Sequence, residues 1–166
     1  MSANVTVSLA LAGVLDTVLD IGTAQHQISY SPSWPLTDGT GANNIAQVWT
    51  DNRTLAASAS EQLDLNGVLT NAFGASVTLT KVKALVVRAA AGNTNDVVVG
   101  GAASNGFATM FGAATHTLKV KPGGVMVLVA PDANGYAVTA GTGDLLQVAN
   151  GGAGTSVSYD ILILGV

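Results

Sequence analysis

The chain has 166 residues, 48% of them hydrophobic and only 10% charged, with six Lys plus Arg against ten Asp plus Glu and a formal net charge of −4. That length fits one domain with an attached arm or lobe. The dispersed cations form no basic patch, and no apolar run approaches the ~18 residues of a spanning helix, so neither nucleic acid nor membrane is an expected partner. Cysteine is absent, which excludes disulfides, thiolate metal sites and cysteine nucleophiles.

In chain order, Val5, Val7, Leu9 and Leu11 alternate with Thr6, Ser8 and Ala10, which predicts a strand over residues 4–12 that Gly13 breaks. Val14 to Ile21 fits helical spacing as well as strand; its β-branched content and flanking glycines favour strand. The Met-Ser-Ala-Asn start lacks a basic region, and Asp16 and Asp20 interrupt the apolar stretch behind it, so no signal peptide is expected. Gln25 to Ser31 alternates again. Residues 31–44 (SPSWPLTDGTGANN) read as a Pro/Gly-rich loop or linker. The chain thus divides into an N-terminal β arm or lobe with its linker (1–45) and a second domain (46–166).

The second part opens with an extended segment over 47–57 and a short strand over 61–65. Val68 to Gly74 is read as one helical turn. Residues 76–89 form the longest strand candidate, with a bulge or corner at 81–83. Val97–Val99 and Phe107–Phe111 are short strands. In His116–Pro131, a wet-faced strand, a Lys121-Pro122-Gly123-Gly124 turn and the run Val125–Val129 predict a hairpin whose return strand is central and covered on both faces. Tyr136–Thr139, Asp144–Ala149 and Thr155–Leu164 complete the chain; in the last, Val157, Tyr159, Ile161 and Ile163 share one face. Roughly eight or nine short strands, with turn signals every eight to twelve residues, predict an all-β, antiparallel, jelly-roll-like β-sandwich with an extended N-terminal β arm or small lobe.

No residue pattern carries catalytic chemistry. His26 and His116 stand in separate strand-like segments without metal-ligand spacing, so each is read as an imidazole paired with backbone or solvent. Asp132-Ala-Asn134-Gly135 opens like a calcium loop but lacks the later ligands, and reads as a turn. Glu61 and Asp64 could share a cleft as a carboxylate pair; the simpler reading is two solvated residues. No catalytic residue, metal site, cofactor or small-molecule substrate is therefore expected. A surface so poor in charge argues for burial against further copies or a larger assembly. The interface candidates are the alternating face Val5, Val7, Leu9 and Leu11, together with Trp34 and Trp49. The strand at 4–12 is expected to add to a neighbour's sheet edge.

Trp49-Thr-Asp-Asn-Arg-Thr-Leu-Ala-Ala-Ser-Ala-Ser-Glu-Gln-Leu-Asp-Leu65, Lys121-Pro-Gly-Gly-Val125 and Val129-Ala-Pro-Asp-Ala-Asn-Gly-Tyr-Ala-Val-Thr139 resemble small virion structural proteins of tailed bacteriophages. Within that group the chain is most similar to head decoration (cement) proteins, over residues 47–166. The resemblance implies a non-enzymatic module, often a homotrimer, seated on the outer capsid surface and tying capsomers together. Its partner would be the major capsid protein, after synthesis in the host bacterial cytoplasm. The alternatives are a carbohydrate- or receptor-binding module of a tail fibre or spike, and another tail or connector component.

Overall fold

The computed structural model describes residues 2–166. Sixteen strands and no helix make up the described chain. The N-terminal region contributes β1 (Val5–Ser8), β2 (Leu11–Val18), β3 (Thr23–Tyr30), β4 (Ser33–Asp38) and β5 (Asn44–Ile45). There follow β6 (Gln47–Leu55), β7 (Ser60–Asp64), β8 (Asn66–Thr70), β9 (Ser76–Thr78), β10 (Lys81–Ala89) and β11 (Val97–Gly100). The last five are β12 (Thr117–Val120), β13 (Val125–Val129), β14 (Tyr136–Ala137), β15 (Leu145–Asn150) and β16 (Val157–Gly165).

Two antiparallel sheets face each other. The first has the order β13-β10-β16-β6, with β14 also on β10; the second has the order β12-β11-β15-β7. The fold is thus an antiparallel β-sandwich, as the alternation predicts. Counting only its eight principal strands, the first sheet sets the first, last, third and sixth side by side, and the second sheet the second, seventh, fourth and fifth. Inward residues of both sheets make one core: Val157, Tyr159, Ile161 and Ile163 of β16 all face it and are buried. The face predicted for this strand is the one observed.

A small third sheet, β1-β4-β5, lies on the outer face of the first sheet. Leu36 and Ile45 pack there on Ala84 and Leu164, with Val5, Val7, Val48 and Val129 around them. Residues 31–44 are therefore not a plain linker, because they hold β4 and the first residue of β5. Pro35 is tolerated inside β4 because it sits opposite Thr6 at a non-hydrogen-bonded site. Its missing N–H would point away from β1, and β5 pairs only with Thr37 and Asp38.

Four further expectations change. The Lys121–Gly124 turn forms as read, with Gly123 at φ 74° and Gly124 N–H donating to Lys121 O (2.7 Å). It does not close a hairpin, however: β12 belongs to the second sheet and β13 to the first, so the turn carries the chain across the sandwich. β13 is an edge strand, and the doubly covered strands are β10 and β16. Residues 68–74 run through β8 and a turn into β9, not a helical turn. Residues 107–111 contain no strand; the nearest pairing is the isolated bridge Gly106↔Leu145. The bulge expected near 81–83 is present as a register shift between Val82 and Ala84.

Gly165 ends β16 opposite Val82 of β10. A Cβ there would collide with Lys81 O. Backbone cannot yield as a flexible side chain can, so Gly165→Ala is expected to destabilise by roughly 2–4 kcal/mol, in the range of overpacked or strained sites. Urea unfolding checks this; a midpoint within error of wild type would contradict it.

Candidate functional site

The most distinctive surface is made by β2 and β3. Pairing from Val5↔Leu36 to Val18↔Thr23 keeps one register throughout, so β1–β2 and β3–β4 form a single long two-stranded ribbon. Gly13 does not break it; it pairs with Ile28. At the nominal gap Leu9 N–H still donates to Pro32 O (3.1 Å), while Pro32 has no N–H to return the bond. Leu19 N–H to Gly22 O (3.0 Å) closes the tip around Asp20 and Ile21. Every residue of β2 and β3 is exposed. At about 3.4 Å per residue the free part of the ribbon reaches roughly 27 Å.

Cross-strand partners share a face, and faces alternate along each strand. One ribbon face therefore carries Val5/Leu36, Val7/Trp34, Leu9/Pro32, Leu11/Tyr30, Gly13/Ile28, Leu15/His26, Thr17/Ala24 and Leu19/Gly22. The other carries Ala12/Ser29, Val14/Gln27, Asp16/Gln25 and Val18/Thr23. The first face is apolar. At its base it packs on the sandwich, where Leu36 is buried; beyond Trp34 the same face continues with nothing among the described residues over it. Leu15 is 67% exposed and Ile21, at the tip, 95%. Most of the large exposed hydrophobic side chains of the described chain lie on this hairpin. A bare two-stranded ribbon is marginal in water, and an apolar face of this kind marks a contact surface.

Where the ribbon leaves the sandwich, a groove of about 350 Å³ opens between Val7, Leu9 and Trp34 on one side and Val127, Val129 and Tyr136 on the other. The outer face of the first sheet continues beside it. The row Val129–Ala84–Leu164–Val48 lies in the cluster under the small sheet, and the next row, Val127–Val86–Leu162, is uncovered. Val127 is 44% and Leu162 37% exposed.

The structure separates the sequence candidates. Val5 and Val7 pack against the sandwich, and β1 is paired along its length with β4 of the same chain, so residues 5–8 do not form a free arm. Leu9 and Leu11 lie at the root of the exposed hairpin. Trp34 is half-buried and lines the groove. Trp49 is 4% exposed and belongs to the core, so it offers nothing to a partner of the folded chain. Sequence reading missed Val127, Leu162 and the apolar hairpin face beyond Leu11; the pairing of Leu15 with His26 and of Leu11 with Tyr30 becomes visible only once the ribbon's register is known.

The polar groups that do converge hold the sandwich together. Glu61 on β7, Arg53 on β6 and Tyr159 on β16 meet where the two sheets approach. Tyr159 OH donates to Glu61 Oε1 (2.6 Å), Arg53 Nε donates to Glu61 Oε2 (3.0 Å), and a second guanidinium nitrogen also bonds that oxygen. Burial, reinforced by the bond to Glu61, pushes the Tyr159 hydroxyl well above its ordinary range, and Glu61 leads in holding the Arg53 guanidinium protonated. Asp64 is three residues on in the same strand, hence on the opposite face, so the two carboxylates do not share a cleft. Asp132 makes a turn: its Oδ1 accepts from Asn134 N (2.7 Å) and Gly135 N (3.1 Å), and these bonds lower its pKa. Its carbonyl accepts from Lys83 Nζ, whose pKa is lowered by burial. His26, on the hairpin, and His116, before β12, are both exposed and on different elements. Among the described residues no three His, Asp or Glu side chains gather as a metal site.

Glu61→Ala leaves the Tyr159 hydroxyl buried without an acceptor, and is expected to cost about 2 kcal/mol at pH 7 by chemical denaturation. A folded tyrosine that keeps its proton longer than the unfolded one adds stability that is whole below about pH 10 and is lost as pH rises above it. Tyr159→Phe should therefore flatten the alkaline fall in stability. An unchanged alkaline limb would contradict this assignment.

No known protein family, no curated protein and no solved structure matches the chain.

Proposed function

We propose that this is a non-enzymatic structural protein of a tailed-phage virion, a decoration protein that seats on the outer capsid surface and stabilises contacts between capsomers. The observation that carries the reading is the amphipathic hairpin. A sandwich with a closed core holds out a ribbon whose apolar face has no partner among the described residues of its own chain. That is the build of an assembly module, with a scaffold that has its own buried core and an arm that gains its cover from a neighbour. Low charge suits close subunit contact. The titratable groups that converge are engaged in internal bonds: Glu61 with Tyr159 and Arg53, and the Asp132 carboxylate with its own turn. The sequence resemblance over residues 47–166 supplies the virion context. The interleaving of the eight sandwich strands between the sheets supports reading the scaffold as a jelly roll, an architecture frequent among capsid modules.

The experiment is co-sedimentation with undecorated capsids. Saturable binding at a whole-number ratio to the major capsid protein, with a raised capsid melting temperature, is the expected result. Absence of binding by intact protein would overturn the reading; glycan binding on an array would replace it with that of a receptor-binding module.

A further inference from the structure

We infer that the hairpin β2–β3 of one copy lies across the outer face of the first sheet of a second copy, on the row Val127–Val86–Leu162. The inference rests on the reading of the hairpin as an assembly arm and not on the capsid as its target.

The chain already makes this contact within itself. The base of the ribbon lays Val5, Val7 and Leu36 over Val129, Ala84, Leu164 and Val48 on the outer face of that sheet. The uncovered row is the next one along the same strands, two residues on in each. The free part of the ribbon presents the same face, in the same register, with the same kind of side chain. What covers the ribbon at its base is thus the chemistry that fits it at its tip, and a second copy supplies that surface where the first has run out.

Dimensions and charge agree. Four strands spaced about 4.8 Å apart make a sheet face roughly 20 Å across, and the hairpin's roughly 27 Å spans it. The apolar hairpin face carries no carboxylate, Lys or Arg, and its one ionisable side chain is His26; Asp16 lies on the opposite face and Asp20 at the tip. The row Val127–Val86–Leu162 is uncharged and ends at Thr50, and the row beyond it holds the Arg88–Asp160 pair, which marks the limit of the apolar strip. Scaling the exposures of Leu9, Leu11, Leu15, Leu19, Ile28 and Tyr30 by ordinary side-chain areas gives an apolar face on the order of 600 Å², the top of the range for monomers. The row Val127–Val86–Leu162 exposes a smaller apolar area than the hairpin face, so it covers only part of that face and the groove beside β13 takes more of it.

The mouth of the groove adds a further element. Among the described residues β13 has β10 on one side and no strand on the other. Ala89 N–H to Gly124 O (3.0 Å) and Ala130 N–H to Lys83 O (2.8 Å) fix which residues of β13 bond to β10. By that parity Val125, Val127 and Val129 aim their amides at the open edge. No Lys or Pro within β13 guards that edge. A neighbour entering there would lie directly beneath the overhanging apolar face of the ribbon.

The absence of native cysteine makes the test direct. Leu15→Cys and Leu162→Cys are made separately and mixed under mild oxidation, and the products are separated without reductant. A disulfide requires the two Cα atoms to come within about 7 Å, so a Leu15–Leu162 cross-link between copies reports the docked hairpin. The expected result is a mixed cross-linked pair exceeding either self-pair at least tenfold, with light scattering showing wild type as an oligomer. Val127→Lys should shift that oligomer to monomer; it lies at an exposed edge and leaves the core untouched. A wild-type protein that stays monomeric at about 100 µM would overturn the inference, as would cross-links confined to Leu15–Leu15 pairs. No capsid enters this experiment, so its outcome is independent of co-sedimentation.

Discussion

Trp49→Ala is expected to lower the melting temperature by on the order of 10 °C, whereas Trp34→Ala shifts it far less. Trp49 sits on β6 opposite Ile163 of β16 and is 4% exposed within the core shared by both sheets. Removing a buried indole forfeits its transfer free energy and leaves a cavity, together roughly 3–5 kcal/mol. In a domain of this size each kcal/mol moves the midpoint by about 2–4 °C. Trp34 is half-buried on the wall of the groove, where solvent can fill the vacated space, so its loss is expected to cost less than about 2 kcal/mol. Thermal unfolding followed by circular dichroism separates the two. Equal losses would contradict the assignment of Trp49 to the scaffold and Trp34 to the contact surface.

The converse holds for the arm. Leu15→Asp combined with Leu19→Asp is expected to leave the melting temperature of the dilute protein within about 2 °C of wild type, because both side chains are exposed and touch no core residue. The same pair should weaken association at least a hundredfold. Two carboxylates would have to be desolvated against an apolar row without a partner, and each such burial is costly. Analytical ultracentrifugation over a concentration series measures this. A variant that assembles like wild type would remove the hairpin from the interface; one that unfolds would show that the hairpin supports the scaffold.

Much of the sandwich is legible in the residues, because half-buried strands write their exposure into alternate positions. Val157 to Ile163 is the clearest case, and the Pro122-Gly123 turn follows from local backbone preference alone. What local preference cannot say is where the chain goes after the turn. The same Lys121–Gly124 text serves a hairpin or a crossing between sheets, and here it serves the crossing. Val125–Val129 reads as a central strand because it is apolar on both faces; on its outward face Val129 is covered by the small sheet of the same chain, while Val125 and Val127 are exposed. The strands at 4–12, 14–21 and 25–31 are legible, but their union with β4 into one N-terminal ribbon is hidden for two physical reasons. Pro32 and Pro35 look like strand breakers, yet Pro32 needs only to accept and Pro35 sits where no donor is required. Gly13 looks like a stop, but in a solvated two-stranded ribbon it is simply a paired residue. The signal that could have found the ribbon is the reflection of apolar positions about Asp20–Ile21: Leu15, Leu11 and Leu9 on one side against His26, Tyr30 and Pro32 on the other.

Amide hydrogen exchange, compared between dilute monomer and assembled protein, tests the division into scaffold and arm most directly. A solvated ribbon with no cover opens readily, whereas core strands exchange only through global unfolding. The account predicts that residues 11–30 exchange fast in the monomer while β10 and β16 are protected, and that assembly slows 11–30 and Val125–Val129 together. A hairpin already protected in the monomer, or still unprotected in the assembly, would contradict it.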